Sequence, residues 1–269
     1  MRNGRPVPAL TAADFEVRDS GILQRVDVVS VEESPVNLDL ILDASFSTRG
    51  ELLQDLKQAA KAALASLREQ DTAMLIAFSH TLRRQSTRDL ADVNATIDHL
   101  MPAGATALAD AAFSAIATQP SQEGRTLAIL FTDGFDTASW LSPMAVIEQA
   151  RRSEIVFNAA VSGGSGVADE ISRVTGHPVL PAARRRWFLS EPELFREGFV
   201  PMLVEETGGE LINVPRRGDL RSAFLQLMSQ FRSRYTIVYS PENVPSTGWH
   251  PIDVRVKGAL VRARRGYAR

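Results

Sequence analysis

The chain contains no cysteine. Disulfides, thiolate zinc sites and a cysteine nucleophile are therefore excluded, while the redox compartment stays open, because exported proteins also do without cysteine. No apolar run approaches the roughly 18 residues that a membrane span needs. Charge of one sign is lacking too. With 30 Lys+Arg against 32 Asp+Glu the net charge is -2, so nothing global draws the protein to nucleic acid or to an anionic membrane. No G-x-S-x-G elbow, H-E-x-x-H pair or Walker loop occurs, and His80, His99, His177 and His250 are scattered without metal-ligand spacing, which reads as incidental. A signal peptide is also missing: Met1-Arg2-Asn3-Gly4-Arg5-Pro6 is polar turn material with no apolar stretch behind it. These residues read as the middle of a hairpin without its first strand. The expectation is a fragment trimmed at its start, with any targeting sequence upstream.

What is present is ordinary globular material: 269 residues, 44% hydrophobic and 23% charged, enough for one sizeable core with accessory strands. From Asp14 to Val31 the pattern is strand-like, with a turn near Ser20-Gly21 and Pro35 marking a boundary. Val36–Leu42 is a near-continuous apolar run, as expected of a strand buried on both faces. Helical spacing follows over Glu51–Leu67, with Ser47 or Thr48 as its expected cap. Further strands are read at Ala73–Phe78, Leu82–Gln85, Thr126–Thr132, Ile155–Val161, Glu210–Val214 and Tyr235–Tyr239. Helices are read at Asp92–Leu100, Ala107–Ala117, Pro143–Arg152, from a capping box at Ser190-Glu191-Pro192-Glu193 to about Glu206, and at Leu220–Phe231. The tail from Pro251 to Tyr267 reads as a half-buried β-hairpin around Gly258 with a basic outer face.

Strands alternating with helices predict an α/β fold: a doubly wound, mostly parallel central sheet with helices on both faces, plus β appendages at either end. The expected organisation is an N-terminal β segment over 1–34, the α/β domain over 35–240 and a C-terminal β-hairpin over 241–269. Ligands of such a sheet sit at the carboxyl ends of its strands. Three polar clusters fall there. Asp43, Ser45 and Ser47 alternate along Asp43-Ala44-Ser45-Phe46-Ser47; Thr106 follows the Gly104 turn; Asp133 ends the strand in Phe131-Thr132-Asp133-Gly134. Hard divalent cations take oxygen donors in this style, hydroxyls supplying ligands and carboxylates the charge.

These residues resemble the metal-ion-dependent adhesion site of von Willebrand factor type A domains, whose pattern is Asp-x-Ser-x-Ser, then a Thr after a Gly, then an Asp before a Gly. All five positions are present. The resemblance implies that Ser45, Ser47 and Thr106 approach a Mg²⁺, Mn²⁺ or Ca²⁺ ion directly, while Asp43 and Asp133 act largely through bound water. It departs at Phe46, where many members carry Gly, which puts ligand preference in question more than metal binding. The opening residues 3–15, Glu206-Thr207-Gly208-Gly209, Arg234-Tyr235 with Tyr239 and Pro241, and Arg262-Ala263-Arg264-Arg265-Gly266-Tyr267 resemble the bacterial, acidobacterial-type von Willebrand factor A-related subgroup. That subgroup implies export to the periplasm, cell surface or beyond.

The expected function is a metal-dependent protein-binding or adhesion module, not an enzyme, whose partner offers an acidic side chain. No nucleic acid and no membrane span are expected. Two alternatives stand beside it. One is a Mg²⁺-dependent hydrolase or phosphoryl-transfer enzyme using Asp43, opposed by the lack of a phosphate clamp other than Arg49 and of a second acid at Asp-x-Asp spacing. The other is an envelope domain whose ion only stabilises the strand ends. Asp110 and Asp136 read as structural caps, Ser162-Gly163-Gly164-Ser165-Gly166 as a loop without phosphate-binding spacing, and Arg184–Arg186 with Trp187 as a solvated loop.

Overall fold

The computed structural model describes residues 7–31, 34–87, 89–118, 124–133, 136–162, 198–215 and 219–269. Three short strands come first: β1 (Phe15–Asp19), β2 (Ile22–Gln24) and β3 (Val26–Ser30). The alternating part comprises β4 (Val36–Asp43), α1 (Glu51–Ala65), β5 (Thr72–Phe78), β6 (Leu82–Thr87), α2 (Leu90–Asp98), α3 (Leu108–Ala117), β7 (Arg125–Thr132), α4 (Pro143–Arg151), β8 (Val156–Ser162), α5 (Phe199–Glu206), β9 (Leu211–Val214) and α6 (Leu220–Arg232). β10 (Thr236–Tyr239), β11 (Trp249–Val256) and β12 (Gly266–Ala268) close the chain.

β4 is buried at every position because it lies mid-sheet and is covered on both faces. The six-stranded sheet runs β6-β5-β4-β7-β8-β9, with β4, β5, β7, β8 and β9 parallel and β6 antiparallel at the edge. Alternation along β4 divides the core. Val36, Leu38, Leu40 and Leu42 pack with Leu56, Val93 and Phe224 of α1, α2 and α6, while Ile41 packs with Ala112, Val146 and Leu203 of α3, α4 and α5. Each such aliphatic side chain contributes roughly 1.5–3 kcal/mol on full burial. Going from β4 to β5 the chain moves to one side of the sheet, and with β7 it resumes on the other. That reversal opens a crevice at the carboxyl ends of β4 and β7.

The appendages are knitted together. β1 pairs antiparallel with both β2 and β11, and β12 pairs with β11, giving a sheet ordered β12-β11-β1-β2. β10 leaves the large sheet and pairs antiparallel with β3. One carboxylate joins four of these strands. Asp19, fully buried at the end of β1, accepts hydrogen bonds from Tyr239 Oη (2.9 Å), Tyr267 Oη (2.8 Å), Ser20 Oγ (3.0 Å) and His250 Nδ1 (3.1 Å). His250 stacks on Tyr267 with ring centroids 4.7 Å apart. His250, read as incidental in the sequence, is therefore a structural tie.

One local expectation needs correction, and a second is met with an opening. The cap of α1 is Gly50, with no side-chain cap bond, because Ser47 and Thr48 are used in the 3-10 turn Phe46–Thr48. The C-terminal hairpin about Gly258 is present but open in its middle: Trp249–Pro251 pair with 266–268, and a single bridge joins Val256 to Ala259 near the turn. The residues between are drawn to the end of α5. Arg265 N donates to Glu206 O at 3.1 Å, the Arg265 guanidinium pairs with Glu205, and Arg264 bonds the Arg151 and Ser153 carbonyls. Gly209 permits tight packing nearby, since a Cβ there would sit 1.7 Å from Phe157 O. The capping box at residues 190–193, the Gly163–Leu189 stretch and the run 184–187 lie outside the described residues.

Candidate metal centre

Asp43 is the last residue of β4, and the 3-10 turn behind it folds the next side chains back over the strand end. Thr48 Oγ1 donates to Ser45 O (2.8 Å), which tightens the turn and places the Ser45 and Ser47 hydroxyls 3.0 Å apart. Ser47 Oγ in turn donates to Asp133 Oδ1 at 2.8 Å, across 86 residues of sequence. Ser45 N and Thr132 Oγ1 donate to the two oxygens of Asp43 at 2.9 and 2.8 Å. Asp43, Ser45, Ser47 and Asp133 thus form one connected polar chain over β4 and β7.

Thr106 comes from a third loop, pinned to the first turn by Ala103 N donating to Ala44 O (2.9 Å) and Phe46 N donating to Gly104 O (3.0 Å). The loop needs glycine at 104, where φ is +67 and an added Cβ would sit 1.8 Å from His80 Nδ1. Thr106 is buried; its N–H donates to Thr137 Oγ1 (2.9 Å), and its carbonyl accepts from Thr137 and Ala138. Among the described residues its hydroxyl makes no hydrogen bond to the other four. The loop that follows Asp133 is fastened to α3 by two carboxylates. Asp136 accepts from Ala109 N in the first turn of α3 and from Ser139 N, and Asp110 accepts from Trp140 N and Leu141 N. Both act as caps, as their sequence context suggests. Thr132, Thr137 and Ser139 were not singled out from sequence; of these only Thr132 carries a signal, as the last residue of β7 immediately before Asp133.

Burial pushes the Asp43 carboxyl up to about 6, and the Asp133 charge adds to the rise; the bonds from Ser45 and Thr132 only partly offset it. Two carboxylates thus meet with hydroxyls between them. Among the described residues no group of three or more His, Cys, Asp or Glu gathers as a metal cluster, in keeping with a donor set made mainly of hydroxyls. An all-oxygen set with two acids suits a hard cation such as Mg²⁺, Mn²⁺ or Ca²⁺ rather than zinc or copper.

The rim is apolar. Phe46 is 56% exposed, Met101 76% and Trp140 91%. Each stands on one of the three loops that carry the polar residues. Phe46 turns to solvent, with the Arg49 guanidinium 4.5 Å from its ring centroid, so this bulky replacement for Gly forms rim and does not plug the polar chain.

Residues 39–135 match the family model described as von Willebrand factor type A domain. No curated protein matches the chain. Among solved structures, the conserved hypothetical protein BatB from Bacteroides thetaiotaomicron is 17% identical with a TM-score of 0.54, over 74% of this chain and 100% of that one. An aerotolerance-related membrane protein from Bacteroides fragilis NCTC 9343, with multiple mutations to serines, is 17% identical with a TM-score of 0.52 over the same shares. At such identities the likeness is one of fold. The matched segment holds Asp43, Ser45, Ser47, Thr106 and Asp133 within the six-stranded architecture, and over residues 39–135 the chain is similar to a von Willebrand factor type A domain.

Proposed function

We propose that this protein is a non-enzymatic interaction module that takes up Mg²⁺, Mn²⁺ or Ca²⁺ at Asp43, Ser45, Ser47, Thr106 and Asp133 and binds an acidic side chain of a protein partner there. The observation that carries this reading is the connected chain Asp43–Ser45–Ser47–Asp133, with exposed apolar side chains on the loops that frame it. When bound, the cation supplies positive charge and an open coordination position. The rest falls to the chain's own residues. Asp43 and Asp133 supply charge for the ion, Ser45 and Ser47 are held ready by the 3-10 turn, and Phe46, Met101 and Trp140 offer area for a partner's apolar side chains. Large apolar side chains left exposed close together mark a docking surface. No second acid stands at Asp-x-Asp spacing from Asp43, and no phosphate clamp accompanies it among the described residues, since Arg49 is engaged with Phe46; this favours binding over turnover. Membership of the acidobacterial-type subgroup, and export with it, belong to the same reading and rest on the sequence resemblance.

The test is the melting temperature of metal-stripped protein with added Mg²⁺, Mn²⁺ or Ca²⁺, beside Asp43→Ala and Asp133→Ala. A cation-dependent rise in the native protein that both variants lose supports the site, and partner capture abolished by chelator supports the binding role. A rise that survives in both variants places the ion elsewhere and defeats the proposal.

A further inference from the structure

At the opposite end of the large sheet, under the appendage strands, lies a cavity of about 610 Å³, within the range of small-molecule sites. One wall is apolar and comes from the paired appendage strands: Phe15 and Val17 of β1, Ile237 of β10, Ile252 and Val254 of β11. The other wall is the amino ends of β7 and β8 with the end of α6, and it is basic. Four guanidiniums line the cavity, those of Arg125, Arg234, Arg262 and Arg264, against a single lining carboxylate, Glu154.

Arg264 and Arg262 each have a carboxylate. Arg264 pairs with Glu154 at 3.2 Å, and Arg262 with Glu210 behind the wall at 3.2 Å. Arg125 and Arg234 lie over one ring, their guanidinium carbons 5.1 and 5.4 Å from the Phe231 centroid. Arg234 forms no side-chain hydrogen bond or ion pair among the described residues. Burial, and then the like charges of Arg125 and Arg262, lower its pKa to about 10; Glu210 only partly opposes them. Guanidiniums crowded in this way store repulsion that an anion would relieve, and a bidentate oxyanion is what an arginine fork matches best.

We propose that this cavity is a second binding site, for a single-chain amphiphilic carboxylate, with Arg234 holding the head group and the β1/β10/β11 wall covering the aliphatic body. Charge decides the head: a neutral or cationic amphiphile leaves the Arg234 guanidinium uncompensated. The apolar wall decides the body: a small inorganic anion leaves that wall uncovered. The site is remote from Asp43 and independent of any cation there.

The test titrates dodecanoate, below its micelle concentration, into the full chain by calorimetry, with dodecanol and dodecyltrimethylammonium as controls and native mass spectrometry for stoichiometry. One dodecanoate per chain is expected, bound at least about tenfold tighter than the alcohol, as a charge-assisted hydrogen bond implies. Arg234→Gln should remove that preference, and Arg234→Lys should keep part of it. Equal binding of the three head groups, several ligands per chain, no binding, or an Arg234→Gln variant that binds dodecanoate like the native protein would each overturn the assignment. Should Arg234→Gln fail to fold, the head-group comparison on the native chain decides alone.

Discussion

Two buried aspartates, one at each end of the molecule, are treated in opposite ways. Asp19 and Asp43 both end a β-strand and both have no solvent exposure. Asp19 receives four side-chain donors, from Tyr239, Tyr267, His250 and Ser20. Burial acts to raise its pKa, but these bonds outweigh burial and hold the carboxyl below its ordinary value. Asp43 has fewer donors and faces Asp133, so burial wins and the carboxyl rises to about 6. A carboxylate saturated by fixed donors is structural. One short of donors, beside a second acid, is suited to a cation that comes and goes.

Removing Asp19 should therefore cost most. Asp19→Ala leaves two phenols and His250 without their acceptor and should lower the unfolding free energy by about 3 kcal/mol, read by urea denaturation. A loss below about 1 kcal/mol would erase the contrast, being no more than an ordinary hydrogen bond. The same carboxylate sets a pH dependence. Its folded pKa is depressed, so its contribution is fully present above its ordinary value of 3.8 and is lost as pH falls through the folded value below that. The native protein should therefore lose more stability than Asp19→Asn between pH 5 and pH 2, and parallel acid curves would contradict this.

Gly104→Ala comes next, at about 1–2 kcal/mol, because alanine at positive φ is strained and the exposed His80 ring must also move. Since the loop carries Thr106, cation affinity should fall with it; a variant as stable as the native protein would show that the loop is not held as described. Asp43→Asn in cation-free buffer should change stability by less than about 1 kcal/mol, since it removes an uncompensated charge together with modest hydrogen bonds. A large loss would show that Asp43 is as structural as Asp19. Smallest of all on stability is Phe46→Ala, within about 0.5 kcal/mol as for other exposed positions, while capture of a protein partner should weaken. Unaltered capture would remove Phe46 from the docking face.

Much of this was legible in the sequence because its signals are local. The run from Val36 to Leu42 and its partner from Thr126 to Thr132 announce strands covered on both faces, and Asp43, Ser45 and Ser47 follow at a spacing that one tight turn brings together. The appendages were legible as strands but not as partners. Period-two alternation shows that one face of β1 or β11 is buried, and contains nothing to say that Phe15 will lie opposite Val256. The opening in the tail hairpin escaped for a related reason. Gly258 with flanking alternation satisfies the hairpin pattern, yet Arg264 and Arg265 find acceptors at the ends of α4 and α5 that only the folded molecule supplies. His250 was invisible as a structural tie because a lone histidine has no spacing to betray it. The helix cap was misplaced because Ser47 and Thr48 suit both a cap and a 3-10 turn, and the polar chain to Asp133 claims the serine.

The most direct measurement is a calorimetric titration of Mn²⁺ into metal-stripped protein, native and Asp43→Asn, at neutral pH. One ion per chain in the native protein, lost or greatly weakened in a variant that melts like the native apo form, is the result predicted here. Absence of binding to the native chain, or equal binding by the variant, would contradict the account of Asp43 as a carboxylate set aside for a cation.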